Sequence, residues 1–251
     1  INMRSFALHF SAACTGGTAG GRLPDDISTL IDRVEVSCGG VQLSAGANYY
    51  NVLKAAKRAL ADYPCDPVLS HSEMVREKSY VNNAVIATDG PETYPNTESV
   101  FCIDKWEGFL GSCEPKIMDS SLVPDIVVSI YVSDTNVLSS VAGVGKDGFV
   151  DALTSDGSGA ASFSLSNIHA TIECLGLQDA MYDNLVAGMI ASKGFLEVPF
   201  KQYFAFQDTH SGAMRFSVAT QSLDRIWAVQ RDADYSKQVA PKRVAGFKTI
   251  T

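Results

Sequence analysis

The amino-acid sequence predicts an all-β fold with two short helices. Apolar residues alternate with small or polar ones along segments such as Arg4–Ala12 and Ile126–Val132, and this period of two is typical of half-buried strands. Clusters of turn-forming residues, for example Asp89-Gly-Pro91, separate these segments. Many strands joined by such turns indicate a β-sandwich or a barrel.

The same pattern predicts several more strands and only two helices. Each helix is expected to bury one face, because its apolar residues recur at three- and four-residue spacings. Asp179 is a suitable N-cap for the second helix, and Gly194 is a suitable stop after it. The further strand candidates are Leu30–Val36, Tyr80–Ala87, Ser99–Ile103, Phe163–Leu177, Phe195–Phe206, Met214–Ala219 and Leu223–Gln230. The apolar helix positions are Tyr49, Val52, Leu53, Ala56 and Leu60, then Met181, Leu185, Val186, Met189 and Ile190.

The two helices occupy equivalent places in the two halves of the chain. In each half a strand with alternating apolar residues leads to a helix that begins near a tyrosine, Tyr50 in the first and Tyr182 in the second. The two copies are separated by roughly half the chain, which is too long for a solenoid and suits one eight-stranded jelly roll. This arrangement predicts a duplicated β-barrel.

Composition and charge indicate a folded protein that does not bind nucleic acid as its main partner. Of 251 residues, 46% are hydrophobic and 19% charged, and the net charge of −8 opposes a surface that follows phosphate backbones. A basic stretch in the last twenty residues leaves two alternatives, a solvated end or a tether to a neighbour. No run of about 18 apolar residues suits a membrane span, and the first residues lack the pattern of a secretory signal.

No residue is predicted to be catalytic, to hold a cofactor or to bind a metal. The six cysteines form no C-x-x-C pair, so they are expected to be mainly free thiols in a reducing compartment, with a Cys102–Cys113 bridge as the alternative. The glycine-rich loops do not fit a phosphate cradle, and no nucleophile elbow is present. Paired carboxylates of a glycosidase, Glu107 with Glu114 or Glu173 with Glu197, stay an open alternative.

Several phrases of the sequence resemble the double jelly-roll major capsid proteins of tailless icosahedral DNA viruses, the lineage that includes adenovirus hexon. In the first half they are Leu23–Val36, Gly39–Leu43 and the tyrosine-led Tyr49-Tyr50-Asn51. In the second half they are Leu165–Ile168, Tyr182–Leu185, Phe195–Tyr203, Arg215–Val218 and Ser222–Arg231. Together these phrases cover about half of the chain, and none of them is a catalytic signature.

The resemblance implies two eight-stranded antiparallel β-sandwich barrels side by side, a first jelly roll over residues 1–145 and a second over 146–251. After Arg231 little room remains for strands, so the second barrel is expected to be short or incomplete at its C-terminal end. The resemblance also implies a structural protein and no enzyme: a homotrimer with pseudo-hexagonal symmetry, assembled inside the host cell into the virion shell. Its partners would be neighbouring capsomers, penton or minor capsid proteins and, where one is present, an internal membrane.

A jelly-roll carbohydrate-binding module or lectin is the alternative function, because it shares the fold and needs no catalytic motif. Its signature would be aromatic side chains on one sheet face, for which Tyr80, Tyr94, Trp106 and Phe109 are the candidates. In a capsid subunit the tryptophans Trp106 and Trp227 are candidates for intersubunit contacts if they are exposed, and core residues if they are not.

Overall fold

A computed structural model of the chain describes a structure that is mostly β, with few short helices. Its two principal sheets are antiparallel and have three strands each. The described residues are 1–15, 21–23, 26–44, 49–60, 99–120, 122–123, 125–133, 139–140, 162–176, 180–206, 213, 215–218, 220, 222–230 and 248–249.

The first sheet joins parts of the chain that lie far apart in sequence. Strand β1 (Asn2–Thr15) occupies its centre and pairs with β5 (Ser99–Ile103) on one side and β8 (Ser162–Glu173) on the other. The β1–β8 ladder contains a bulge, at which Asn167 has a φ of 51°. Asparagine tolerates this left-handed conformation better than most residues, and the extra residue of a bulge bends the strand.

The second sheet is built around β3 (Ile31–Cys38), with β4 (Val41–Ser44) and β6 (Ile126–Val132) as its edges. Val34 and Val36 of β3 are buried, and they pair with Ile130 and Val128 of β6. This period of two turns one face of the sheet toward the hydrophobic core, to which the first sheet also contributes.

Three helices and two pairs of very short strands complete the described elements. The apolar face of helix α1 is covered by β3 and by a 3₁₀ turn, Ile27–Leu30. None of the helices within the described ranges is long and apolar enough to cross a membrane. The helices are α1 (Tyr50–Leu60), α2 (Phe109–Ser112) and α3 (Ala180–Lys193), and the strand pairs are β2 (Gly21–Arg22) with β7 (Ser139–Ser140) and β9 (Val229–Gln230) with β10 (Lys248–Thr249).

The hydrophobic core lies in the first half of the chain. Every fully buried apolar residue of the described structure falls between Met3 and Met118. Trp106 is central to this core, because its ring contacts Phe6 and Tyr50 and its indole N–H donates to the Phe6 carbonyl at 2.9 Å. At Gly111, within α2, a Cβ atom would collide with the Trp106 carbonyl, so this position requires glycine.

The structure confirms the two predicted helices, which are α1 and α3, and the strands predicted at Arg4–Ala12, Leu30–Val36, Ser99–Ile103, Ile126–Val132 and Phe163–Leu177, each within a few residues where described. Gly194 has a φ of 77° directly after α3, and its N–H donates to the Ile190 carbonyl, as expected of a glycine stop. Helix α2 and the 3₁₀ turn were not predicted, because four residues are too few to show a period. The predicted Asp179 cap and the Tyr80–Ala87 strand lie outside the described residues.

The strand prediction for Phe195–Phe206 was wrong, and Leu223–Gln230 forms a strand only at its last two residues. Residues 215–218, within the strand predicted at Met214–Ala219, are also not a strand. The Pro199 carbonyl accepts from the Glu114 N–H, and the Lys201 N–H donates to the Ser112 hydroxyl. These backbone groups are therefore satisfied without a ladder, and an alternating pattern cannot reveal this.

Strand β8 lies beyond the predicted boundary between residues 145 and 146, yet it belongs to the same sheet as β1. The boundary itself falls among residues that the structure does not describe. The division into two jelly rolls at residues 145 and 146 therefore stays a prediction.

The buried indole N–H of Trp106 provides a test of the core. In Trp106→Phe the Phe6 carbonyl loses its partner inside the protein, so we expect the free energy of unfolding to decrease by about 1–3 kcal/mol. Urea unfolding at unchanged m-value measures this loss. The matched control is Trp227→Phe, at a half-buried position, and an equal loss in both variants would contradict a special role for Trp106.

The cysteines provide a second test. Neither Cys102 nor Cys113 is in a disulfide, so the alternative of a bridge between them is not realised. Burial raises the pKa of the Cys113 thiol, although Arg4 opposes the shift, and the reactive thiolate is therefore depleted. We expect iodoacetamide to modify exposed Cys174 in the native protein and Cys113 only after unfolding, as read by peptide mass spectrometry. Equal labelling of both in the native state would contradict this placement.

Candidate assembly interface

The apolar side chains of the second half of the chain are largely exposed. Of the 22 large hydrophobic side chains that are exposed in the described structure, 14 follow residue 165. Single exposed apolar residues are normal on a protein surface, whereas a concentration of them indicates a surface that binds something. The 14 are Ile168, Ile172, Leu175, Met181, Leu185, Met189, Ile190, Phe195, Leu196, Phe204, Phe206, Phe216, Leu223 and Ile226.

Helix α3 shows this exposure most clearly. Met181, Leu185 and Met189 follow one another at four-residue spacing and therefore form one stripe along the helix. Their exposed fractions are 75%, 58% and 46%. The prediction that this helix buries one face was wrong for the described structure: Met181, Leu185, Met189 and Ile190 are exposed, and of the five predicted apolar positions only Val186 is half-buried.

The equivalent helix of the first half differs in this respect. In α1, Tyr50 and Ala56 are buried, and the helix contacts β3 and the 3₁₀ turn. The Tyr50 hydroxyl accepts a hydrogen bond from the Glu107 N–H at 3.2 Å, and Asn51 donates to Ser133 at 3.1 Å. One copy of the strand-and-helix unit is therefore packed and satisfied, and the other presents its apolar face to solvent.

The edge strands β8 and β6 add a second exposed feature. Within the described part of the chain each forms the outer edge of its sheet. Neither contains Lys, Arg or Pro, which usually protect an edge from pairing with another chain, although β8 has the bulge at Asn167. Between them lies an apolar groove of about 320 Å³ that is lined by Met3, Ile126 and Ile172, among others. Asp125 is the charged side chain at this groove.

The aromatic residues considered for a sugar-binding face lie elsewhere. Trp106 and Phe109 are buried in the core, so neither can stack on a ligand at the surface. Tyr80 and Tyr94 lie outside the described residues. Trp227 is half-buried, so of the two tryptophans it is the one that has exposed area to offer to a partner.

Three of the four glutamates considered for catalysis have a polar partner. Glu107 accepts from Lys57 at 2.7 Å, Glu114 pairs with Arg4, and Glu173 accepts from the Asn2 amide at 2.7 Å. The remaining one, Glu197, is exposed. Glu107 and Glu114 are thus held in ion pairs with basic side chains of the same chain.

Two histidines lie opposite one another on the first sheet. The rings of His9 and His169 are stacked with centroids 4.9 Å apart, and His9 also contacts Thr171 at 2.9 Å. His169 lies in strand β8. Across the ranges that the structure describes, no three His, Cys, Asp or Glu side chains are grouped so that they could hold a metal ion.

The arrangement is thus suited to bind another apolar surface. No family model, curated protein or solved structure matches the chain. Phe195, Leu196 and Phe204 were predicted to lie in a half-buried strand, but they are exposed. The sequence could not predict this, because it does not show which surfaces pack on these side chains.

The exposure of the α3 stripe can be measured by comparing one substitution at two positions. Leu110 of α2 is buried, so Leu110→Ala should lower the free energy of unfolding by about 2–5 kcal/mol. Leu185→Ala should lower it by less than about 0.5 kcal/mol, because this side chain is mostly exposed. Both are measured by urea unfolding at a protein concentration at which the chain is monomeric. A large loss at Leu185 would mean that the chain itself covers the stripe.

Proposed function

We propose that the protein is a major capsid protein with a double jelly-roll fold that acts by self-assembly and not by catalysis. The functional unit would be a homotrimer of pseudo-hexagonal shape that contacts neighbouring capsomers and the penton or minor capsid proteins. It would form inside the host cell and become part of the virion shell. The sequence phrases that resemble this family suggest the identity, and the two antiparallel sheets around one core are compatible with it.

The uncovered face of α3 is the observation that supports assembly most strongly. A helix in a folded domain gains most of its stability from the burial of its apolar face, and α1 obtains that burial from β3 and the 3₁₀ turn. The face of α3 must gain it from another surface. Obligate oligomers bury large apolar interfaces that resemble a domain core divided between chains.

The edge of β6, which has none of the protecting residues Lys, Arg and Pro, supports the same proposal. An edge strand that remains in solvent usually has a lysine, a proline or a bulge that prevents pairing. In a shell protein the flank of each barrel is covered by its neighbours, so this protection is not needed. The absence of Lys, Arg and Pro from β6 is therefore expected of a subunit that is buried on its sides.

The test is the mass of the purified protein in solution, measured by multi-angle light scattering over a range of concentrations and salt strengths. We expect a species of three 26.9 kDa chains, or larger particles. Leu185→Lys should shift the population toward monomers, because a charge on the stripe cannot be buried at an apolar contact without a partner.

Ala187→Lys is the matched control. Ala187 is exposed and lies about 200° around the helix from Leu185, so it adds the same charge to the opposite side of α3. We expect it to leave the mass unchanged. A wild-type chain that stays monomeric under every condition and binds glycans would contradict the capsid proposal and favour the carbohydrate-binding alternative.

A further inference from the structure

A short segment of the second half, Val198–Tyr203, is docked onto the first half although it is not a strand. Val198 and Phe200 are half-buried against the core. The Phe200 ring meets the Phe109 ring edge to face, with centroids 5.2 Å apart, and such pairs add to the stabilisation by burial. This is the apolar end of the contact.

Two backbone hydrogen bonds fix the same segment beside α2. The Glu114 N–H donates to the Pro199 carbonyl at 2.9 Å, and the Lys201 N–H donates to the Ser112 hydroxyl at 2.8 Å. The Ser112 hydroxyl also donates to the Gly108 carbonyl at 2.7 Å, within its own helical turn. One side chain thus links the short helix of the first half to the backbone of the second.

The other end of the segment is held by a charged cluster. Lys57 of α1 donates to Glu107 at 2.7 Å, and its ammonium lies 3.5 Å from the Tyr203 hydroxyl and 5.3 Å from the centre of the Tyr203 ring. Burial by itself would lower the pKa of Lys57, but the hydrogen bond and charge of Glu107 together with Tyr203 raise it. Burial and the charge of Glu107 raise the pKa of Tyr203, although Lys57 opposes this.

Both shifts have the same consequence for stability. A group whose pKa is raised on folding stabilises the folded state fully below its ordinary pKa, and this contribution decreases as the pH rises through the folded-state value. The ordinary values are 10.5 for Lys57 and 10.0 for Tyr203. The charged cluster is therefore intact at neutral pH.

The docked segment also determines where α3 can lie. Only four residues separate Lys193, the last residue of α3, from Val198, so these two Cα atoms can be no more than roughly 18 Å apart. At its other end α3 follows β8, which is paired with β1. No other described helix or strand packs extensively on α3, so its two ends hold it in place.

We propose that Val198–Tyr203 is a strap that positions α3 and its apolar stripe on the first half of the chain. The strap has an apolar anchor, Phe200, and a charged anchor, the Lys57–Glu107–Tyr203 cluster. Its role in presenting an assembly surface rests on the proposed function, whereas its effect on the position and protection of α3 is a property of the single chain. Phe200, Lys57 and Tyr203 are positioning residues.

Amide hydrogen exchange of the full chain tests the strap, with the amides of Glu114, Lys201 and α3 as probes. We expect Phe200→Ala to accelerate their exchange by about tenfold and to leave the central amides of β1 unchanged, because a local opening exposes only the segment that it releases. Lys57→Met and Tyr203→Phe should produce the same pattern with a smaller acceleration. These two variants decide the question if Phe200→Ala does not fold.

Gln202→Ala is the matched control, because this side chain lies in the same segment, is exposed and does not belong to the apolar assembly surface. It should not change the exchange of any probe. Unchanged exchange at Glu114, Lys201 and α3 in Lys57→Met and Tyr203→Phe would overturn the proposal. Equal acceleration in β1 and α3 would also overturn it, since these residues would then stabilise the whole core and not a strap.

Light scattering of the same samples separates the strap from the capsid proposal. If the wild type is monomeric and its strap amides are protected, the result supports the proposed strap and contradicts the proposed homotrimer. If the protein is a trimer and the amides of the strap variants exchange as in the wild type, the result overturns the proposed strap but supports the homotrimer.

Discussion

The described structure depends on strand β1, which is hydrogen-bonded along both of its edges. Its partners are β5, about ninety residues later, and β8, about one hundred and sixty residues later. Such non-local pairing is slow to form, because the entropy of closing long loops must be overcome before the ladder stabilises anything. Once formed, it brings β8 to the flank of the core and determines where α3 begins.

The second constraint is the uneven distribution of burial. The core between Met3 and Met118 includes Trp106 with its indole hydrogen bond, whereas Phe163, Leu165, Val198 and Phe200 are the second-half residues that pack against it. Burial of apolar surface is the main favourable term in folding. The second half therefore obtains little of its stability from within the described structure, and an additional surface would stabilise it greatly.

Local patterns predicted the elements well where one face is buried within the chain. The period of two in Ile126–Val132 and Ser99–Ile103 matches β6 and β5, and Gly194 ends α3 where its position predicted. The sequence could not reveal whether the face of α3 is covered, because Leu185 has the same spacing in either case. The alternating pattern wrongly predicts a strand at the strap for a related reason: Phe200 is apolar and half-buried, but its segment pairs with no other strand.

The candidate site is difficult to predict from sequence because it contains no unusual chemistry. A catalytic centre is recognised by residue types that the fold does not need, such as an activated nucleophile or a carboxylate with a raised pKa. An assembly surface consists of leucines, methionines and phenylalanines, which a core also needs. Only their exposure distinguishes them, and exposure is a property of the folded chain. The strap and the residue that follows it include both kinds of residue, because Phe200 is half-buried and anchors the segment while Phe204, four residues later, is exposed.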